Sequence, residues 1–315
     1  MTRVAILGAS GHIGRSLAAA MGGFEGGGAE LFLYARKPDA VADFVSAQKI
    51  KGAHVLEIGR FGIDPVDVVI NAVGAGDPAR VQALDSGIFH LTEEFDNRVL
   101  DYLGKRPEAL YVNMSSGAVY GSDFAEPARD NSVHAVPVNR LEPSRFYSIA
   151  KLNAEAKHRA HPGLNIVDLR VFSYFSRFID ISGRFFMAEL ARALMDKQTF
   201  VTTPVEMDRD HLVPADMVRL IECVIGRWRS GVGPVNAALD CYTLAPSGKF
   251  ELLEGLKSEL GLRYEISGHL ETLAPTGAKS RYYSTSRRAA EWGYRPRFTT
   301  IEGVLSELRA LHESE

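Results

Sequence analysis

Tyr147 and Lys151 stand four residues apart in Tyr147-Ser148-Ile149-Ala150-Lys151, a spacing that sets both side chains on one face of a helix. An ammonium beside a phenol stabilises the phenolate and lowers the tyrosine pKa from its reference of about 10, giving a usable acid or base for a carbonyl or an alcohol. Taken alone, the pair is an ordinary feature of a surface helix. Two other segments give it company. Leu110-Tyr111-Val112-Asn113-Met114-Ser115-Ser116-Gly117-Ala118-Val119-Tyr120-Gly121 reads as a strand running into small hydroxyl residues at its carboxyl end, where open α/β sheets bind ligands. Gly8-Ala9-Ser10-Gly11-His12-Ile13-Gly14 follows an apolar run and opens a helix-compatible stretch, the context that separates a phosphate-binding turn from a chance triple glycine. The first glycine permits the tight turn, the second lets backbone approach a pyrophosphate, and the third lets helix and strand pack, with the helix N-terminus facing the anion. The spacing is G-x-x-G-x-x-G rather than G-x-G-x-x-G.

A dinucleotide is the ligand that such a turn suits. The next apolar run ends at Tyr34-Ala35-Arg36-Lys37, where an NAD site usually offers an acid to the ribose 2′-hydroxyl. Arg36 and Lys37 offer charge-assisted bonds to a 2′-phosphate instead, which favours NADP(H) over NAD(H). Two other readings stay open: a solvated basic pair, and an arginine stacked on adenine in an NAD enzyme.

The elements that must position these groups alternate along the first half of the chain. Val4–Leu7, Leu31–Tyr34, Val66–Ile70, Leu110–Asn113 and Ile166–Val171 are strand candidates, and Arg15–Met21, Glu93–Leu103 and Ser148–Ala160 are helix candidates between them. Alternation of this kind builds an α/β, Rossmann-type doubly wound parallel sheet. From Phe172 onward the texture shifts to helical segments at Arg184–Leu194, Pro214–Ile225 and near Phe250–Leu260, with a strand at Pro234–Leu239 and a polar tail. The expected organisation is a dinucleotide-binding domain over 1–172, with a return of about 205–240, and a smaller substrate-binding domain over 173–315. The glycine-rich run from Gly22 to Gly28 reads as a flexible connection.

Composition limits the classes. The chain has 315 residues, 46% hydrophobic and 24% charged, the balance of a folded globular protein. A net charge of −3 provides no basic field for a nucleic acid partner. Neither a signal peptide nor a stretch of the ~18 apolar residues needed to span a membrane is present, so a cytoplasmic protein without a membrane partner is expected. Cys223 and Cys241 are too few for a disulfide framework, and His134, His211 and His269 lack metal-like spacing. The Phe172, Phe175, Phe178, Phe185 and Phe186 series reads as core rather than as a sugar-stacking platform.

Together these segments resemble the extended short-chain dehydrogenase/reductase family, the nucleotide-sugar epimerases, dehydratases and reductases. The resemblance extends to Asn71-Ala72-Val73-Gly74, Asp96-Asn97, Leu169-Arg170-Val171-Phe172, Arg209-Asp210-His211-Leu212-Val213-Pro214-Ala215-Asp216 and the closing Ser286-Arg287-Arg288-Ala289-Ala290-Glu291-Trp292-Gly293-Tyr294-Arg295-Pro296. It implies that Tyr147 exchanges a proton with the substrate oxygen while hydride passes to or from nicotinamide. It also implies that Lys151 holds the nicotinamide ribose and tunes Tyr147, and that Ser116, rather than Ser115, hydrogen-bonds the reacting oxygen. Gly8, Ser10, Gly11, His12, Ile13, Gly14, Asn71, Ala72 and Val73 would line the cofactor. Arg209 would meet a nucleotide diphosphate, with an ion pair to Asp208 or Asp210 as its alternative, and Ser173 and Arg177 would add substrate contacts. Arg184 and Arg281 read as ordinary surface arginines. A homodimer is a further expectation.

Departures from the family pattern narrow the chemistry. Members that eliminate water resemble Thr-Asp-Glu where this chain has Ser116-Gly117-Ala118, so 4,6-dehydration lacks its acid and base. Members that epimerise C3 and C5 carry a cysteine where Ala118 stands. Asn71 replaces a frequent histidine and Ser173 a frequent asparagine, so substrate contacts differ. The remaining chemistry is reduction or oxidation at C4 of a nucleotide-linked sugar, with 4-epimerisation on a retained NAD as the alternative. From another class, a non-catalytic NADP sensor would share the fold with its Tyr-Lys pair lost.

Overall fold

The computed structural model describes residues 1–22, 29–76, 78–121, 124–268 and 279–313; residues 23–28 of the glycine-rich run and His269 lie outside them. The chain begins β1 (Arg3–Leu7), α1 (His12–Gly22), β2 (Glu30–Ala35), α2 (Pro38–Ala47), β3 (Ala53–Glu57), β4 (Val68–Asn71), α3 (Pro78–Leu84), α4 (Gly87–Lys105), β5 (Leu110–Ser116), α5 (Phe146–Arg159) and β6 (Asn165–Val171). It continues through β7 (Ser173–Tyr174), α6 (Phe186–Met195), β8 (Thr199–Thr202), β9 (Asp208–Arg209), β10 (His211–Leu212), α7 (Pro214–Arg229), β11 (Asn236–Asp240), β12 (Ser247–Gly248), α8 (Lys249–Leu260), β13 (Arg263–Ile266), β14 (Arg281–Tyr282) and α9 (Thr300–His312).

Seven parallel strands form one sheet in the order β11-β6-β5-β4-β1-β2-β3. Its strands are apolar on both faces because both are covered by helices. Val4 and Ile6 of β1 pack with Leu17 and Ala18 of α1 and Met217 and Ile221 of α7, whereas Ala5 and Leu7 pack with Val99 and Leu103 of α4. The strand order reverses between β1 and β4, and the carboxyl ends at such a switch point flank the ligand crevice of open α/β sheets. β11 adds to the far edge of the sheet beside β6, so residues 236–240 are part of the first structural unit.

A second apolar cluster gathers Phe175, Leu190, Leu253, Leu256, Val304 and Leu308 from α6, α8, α9 and the segment after β7. Each fully buried leucine there is worth roughly 1.5–3 kcal/mol relative to exposure. Part of the stretch read from sequence as a polar tail is thus a 13-residue helix, α9, that completes this cluster. Its signal was present in the sequence: Thr299 accepts from the Glu302 N–H while Glu302 reaches back to the Thr299 N–H, a capping box ahead of an amphipathic run. Strand β3 and helix α2 also went unread, because β3 is an edge strand whose polar His54 and Glu57 are exposed and interrupt the apolar pattern.

Candidate active site

The glycine turn at the end of β1 is held by close backbone approach. The N–H groups of Gly8 and Ala9 both donate to the Tyr34 carbonyl at 3.1 Å, and Gly11 N–H donates to Gly8 O at 2.9 Å. Gly8 has φ +79°, and a Cβ there would lie 2.9 Å from the Ala72 and Val73 backbone. A Cβ on Gly14 would lie 2.2 Å from the Gly8 carbonyl. The N–H groups of His12, Ile13 and Gly14 head α1 without intrahelical acceptors, and Ser10 is exposed beside them. This cradle of bare backbone and free donors fits a dinucleotide pyrophosphate. His12 itself is turned into the fold: its Nε2 lies 2.8 Å from Ser176 Oγ, which lies 2.7 Å from Ser16 Oγ. Burial pushes the imidazole pKa down to about 4, so it is neutral near pH 7. Arg36 is exposed just past β2 and forms no ion pair among the described residues.

At the end of β4, Asn71 is occupied within the protein. Its Oδ1 accepts from the Val73 N–H at 3.1 Å and its Nδ2 donates to Tyr111 Oη at 3.1 Å, so it shapes the Ala72-Val73-Gly74 loop. A Cβ on Gly74 would lie 3.9 Å from Lys151 Nζ, which places this loop against the Lys151 ammonium.

Strand alternation separates the two serines of β5. Ser115 Oγ donates to Glu155 Oε1 of α5 at 2.6 Å, within a buried set in which Glu155 also pairs with Arg170 at 2.6 Å. Ser116 points to the other face, where its Oγ accepts from the Ala118 N–H at 3.2 Å and lies 3.2 Å from Tyr282 Oη. Helix α5 starts at Phe146, earlier than the sequence reading placed it, which puts Tyr147 in its first turn and Lys151 one turn on. Lys151 is buried and donates to Met114 O at 2.9 Å, next to the two serines. Tyr147 is half-buried, and its hydroxyl has no hydrogen bond among the described residues. Ser116 and Lys151 thus lie at the carboxyl end of β5, with Tyr147 one turn before Lys151 on α5.

One wall of this region is aromatic. Phe172 packs on Gly117 so closely that a Cβ there would lie 2.3 Å from the ring, and Tyr282 meets Phe124 at 4.7 Å and Phe172 at 5.3 Å between centroids. Phe172 is thus core that also borders Ser116, while Phe175, Phe185 and Phe186 belong to the second cluster and Phe178 packs edge-on to Phe44. Two cations cover Tyr282: Lys279 Nζ at 4.1 Å and the Arg209 guanidinium at 5.9 Å from its centroid. Arg209 forms neither of the ion pairs considered from sequence. It donates to the Asp208 carbonyl at 2.8 Å, while the Asp208 carboxylate meets Arg281 at 3.7 Å and Asp210 accepts from Thr243. Burial, then the Arg209 charge, hold the Lys279 pKa down at about 8. Burial pushes the Tyr282 hydroxyl well above the usual phenol value.

Ser173 is half-buried in β7 opposite His211 of β10. Arg177 is engaged elsewhere: its Nη2 and Nε donate to Glu307 at 2.9 and 3.0 Å, tying the segment after β7 to α9. Sequence reading missed Tyr282 and Lys279, because Tyr282 lies 166 residues from Ser116 and no local pattern links them.

Solved structures with this fold include UDP-glucose-4-epimerase from Stenotrophomonas maltophila with bound NAD and formylated UDP-arabinopyranose, at a TM-score of 0.80, 16% identity and 100% coverage of both chains. dTDP-glucose 4,6-dehydratase from Bacillus anthracis in complex with NAD superposes with a TM-score of 0.76 and 15% identity over 100% of this chain and 98% of that one. UDP-N-acetylglucosamine 4-epimerase from Methanobrevibacter ruminantium, in complex with UDP-N-acetylmuramic acid, gives 0.75 and 14% over 99% of this chain and 97% of that one. At such identities the likeness establishes a shared fold, and no curated protein sequence matches the chain. Residues 4–238, which span the glycine turn, both serines and the Tyr-Lys pair, match the sequence profile of the NAD dependent epimerase/dehydratase family, and the chain belongs to that family.

Proposed function

We propose that this protein is a nicotinamide-dependent oxidoreductase acting at C4 of a nucleotide-linked sugar, with residues 173–315 supplying most of the substrate contacts. The observation that supports this reading is the placing of Ser116 at the end of β5 and of Lys151 against Met114 and the Gly74 loop, with Tyr147 one turn before Lys151 on α5. The cofactor supplies or accepts the hydride when bound. Ser116 orients the reacting oxygen, Tyr147 gives it a proton or takes one, and Lys151 holds the nicotinamide ribose. Gly117 and Ala118 place no carboxylate or thiol at the strand end, which leaves proton exchange through Tyr147 as the acid-base step. Arg209 and Lys279, cations without carboxylate partners among the described residues, suit the diphosphate of the substrate.

Arg36, exposed and unpaired, supports NADPH and net reduction. The likeness to an epimerase with bound NAD supports the second reading, 4-epimerisation with internal recycling of the cofactor. Mass identification of the nucleotide released on denaturation separates them. Stoichiometric retained NAD supports the epimerase; an empty site that prefers NADPH supports the reductase and directs a panel of nucleotide-linked 4-keto sugars. Tyr147→Phe is expected to lower kcat by about 10²–10⁴-fold while cofactor binding persists; unchanged turnover would overturn the assignment.

A further inference from the structure

We propose that Tyr282 is a positioning residue for Ser116: its hydroxyl donates to Ser116 Oγ and so leaves the Ser116 O–H aimed at the substrate oxygen. The inference rests on the reading of Ser116 given above. A serine hydroxyl has one hydrogen to donate and two lone pairs to accept with. The Ala118 N–H at 3.2 Å takes one lone pair, and Tyr282 Oη, also at 3.2 Å, occupies the second. With both lone pairs engaged, the only direction left to the serine proton is outward.

Distance alone leaves the direction of that bond open, and chemistry assigns the donor role to Tyr282. A phenol is the more acidic hydroxyl of the two, and Lys279 and Arg209 over its ring polarise the O–H further. The ring cannot swing away, because Phe124 and Phe172 meet it at 4.7 and 5.3 Å and β14 pairs with β9 in a register that sets Tyr282 opposite Arg209. Burial also keeps the hydroxyl protonated across any working pH. The C-terminal part of the chain thereby supplies a group that completes a strand-end serine of the first sheet.

The test is a double-mutant cycle on the 4-keto sugar that turns over best. Tyr282→Phe keeps the ring and removes the hydroxyl; kcat should fall about tenfold, the effect of one hydrogen bond, with KM and cofactor affinity within about twofold. In a Ser116→Ala background the same substitution should change kcat no further. An equal loss in both backgrounds, or no loss in the single variant while Ser116→Ala is impaired, overturns the proposal and spares the reading of Ser116. Unchanged kcat in Ser116→Ala, or a panel with no turnover, overturns that reading and the proposal with it. A Tyr282→Phe chain that fails to fold would make the hydroxyl a structural strut, which also overturns the proposal.

Discussion

Two charged clusters of this molecule are built on opposite principles. Beneath the sheet edge, His158 is fully buried between Asp96, 2.6 Å from Nε2, and Asp168, 2.8 Å from Nδ1. Lys157 meets Asp96 at 2.6 Å, Arg159 and Asn113 donate to Asp168 at 2.8 and 2.7 Å, and Tyr111 donates to Asp96 at 3.1 Å. Every charge there has an opposite charge. Beside Ser116, by contrast, Arg209 and Lys279 lie over the Tyr282 ring and Arg209 donates to the Asp208 carbonyl, with no carboxylate partner for either cation among the described residues. A saturated cluster is finished when the chain folds, whereas an unsaturated one keeps its charges available to an anion, the role proposed above for Arg209 and Lys279.

The strongest way to break the contrast is to remove the centre of the saturated cluster. His158→Leu leaves two buried carboxylates short of a partner and should destabilise folding by about 3–5 kcal/mol, read by chemical denaturation. Removing a charge from the unsaturated cluster should do the reverse. Lys279→Met is expected to leave stability unchanged or raise it by up to about 1 kcal/mol, while weakening UDP binding about tenfold in calorimetry. A loss of stability in that variant, with binding intact, would make Lys279 part of the scaffold.

The smallest effect is the most discriminating, because the two clusters should respond to pH with opposite signs. Burial lowers the His158 pKa, but the bonds and charges of Asp168 and Asp96 outweigh it and hold it at about 9, above the ordinary 6.5. Its stabilising contribution is full below 6.5 and is lost as pH rises through about 9. The Lys279 amine, held down at about 8, imposes its cost below that value, and the cost disappears as pH rises towards the ordinary 10.5. The stability gap between wild type and the His158 variant should therefore narrow with rising pH, as should any advantage of Lys279→Met. Urea melts across this range check both.

What was legible in the sequence was local. The glycine turn, the strand-end serines and the Tyr147-Lys151 spacing each sit within one turn or one strand end, where sterics and backbone geometry dictate residue type directly. Strand alternation turns Ser115 onto Glu155 and Ser116 towards Tyr282, a division the run of two serines does not itself reveal. What was not legible depends on distant chain segments meeting. Glu307 claims Arg177 from 130 residues away, Tyr282 reaches Ser116 from 166, and Asn71 spends both ends of its amide on neighbours that composition could not reveal. Helix α9 went unread for another reason: its charged residues masked an amphipathic pattern that only its capping box announced.

Helix α5 joins the two clusters. Tyr147, Lys151, Glu155 and His158 follow one another at intervals of four, four and three residues, a single stripe with the Tyr-Lys pair at one end and the buried anchors at the other. Glu155 and His158 act as an index pin: they fix the rotation of the rod about its own axis, and the direction in which Tyr147 and Lys151 project is inherited from them. The wall across from the rod is built by other elements, with Ala118 after β5 and Tyr282 in β14. A change of chemistry on this scaffold can therefore be written in the facing wall while the rod stays as it is.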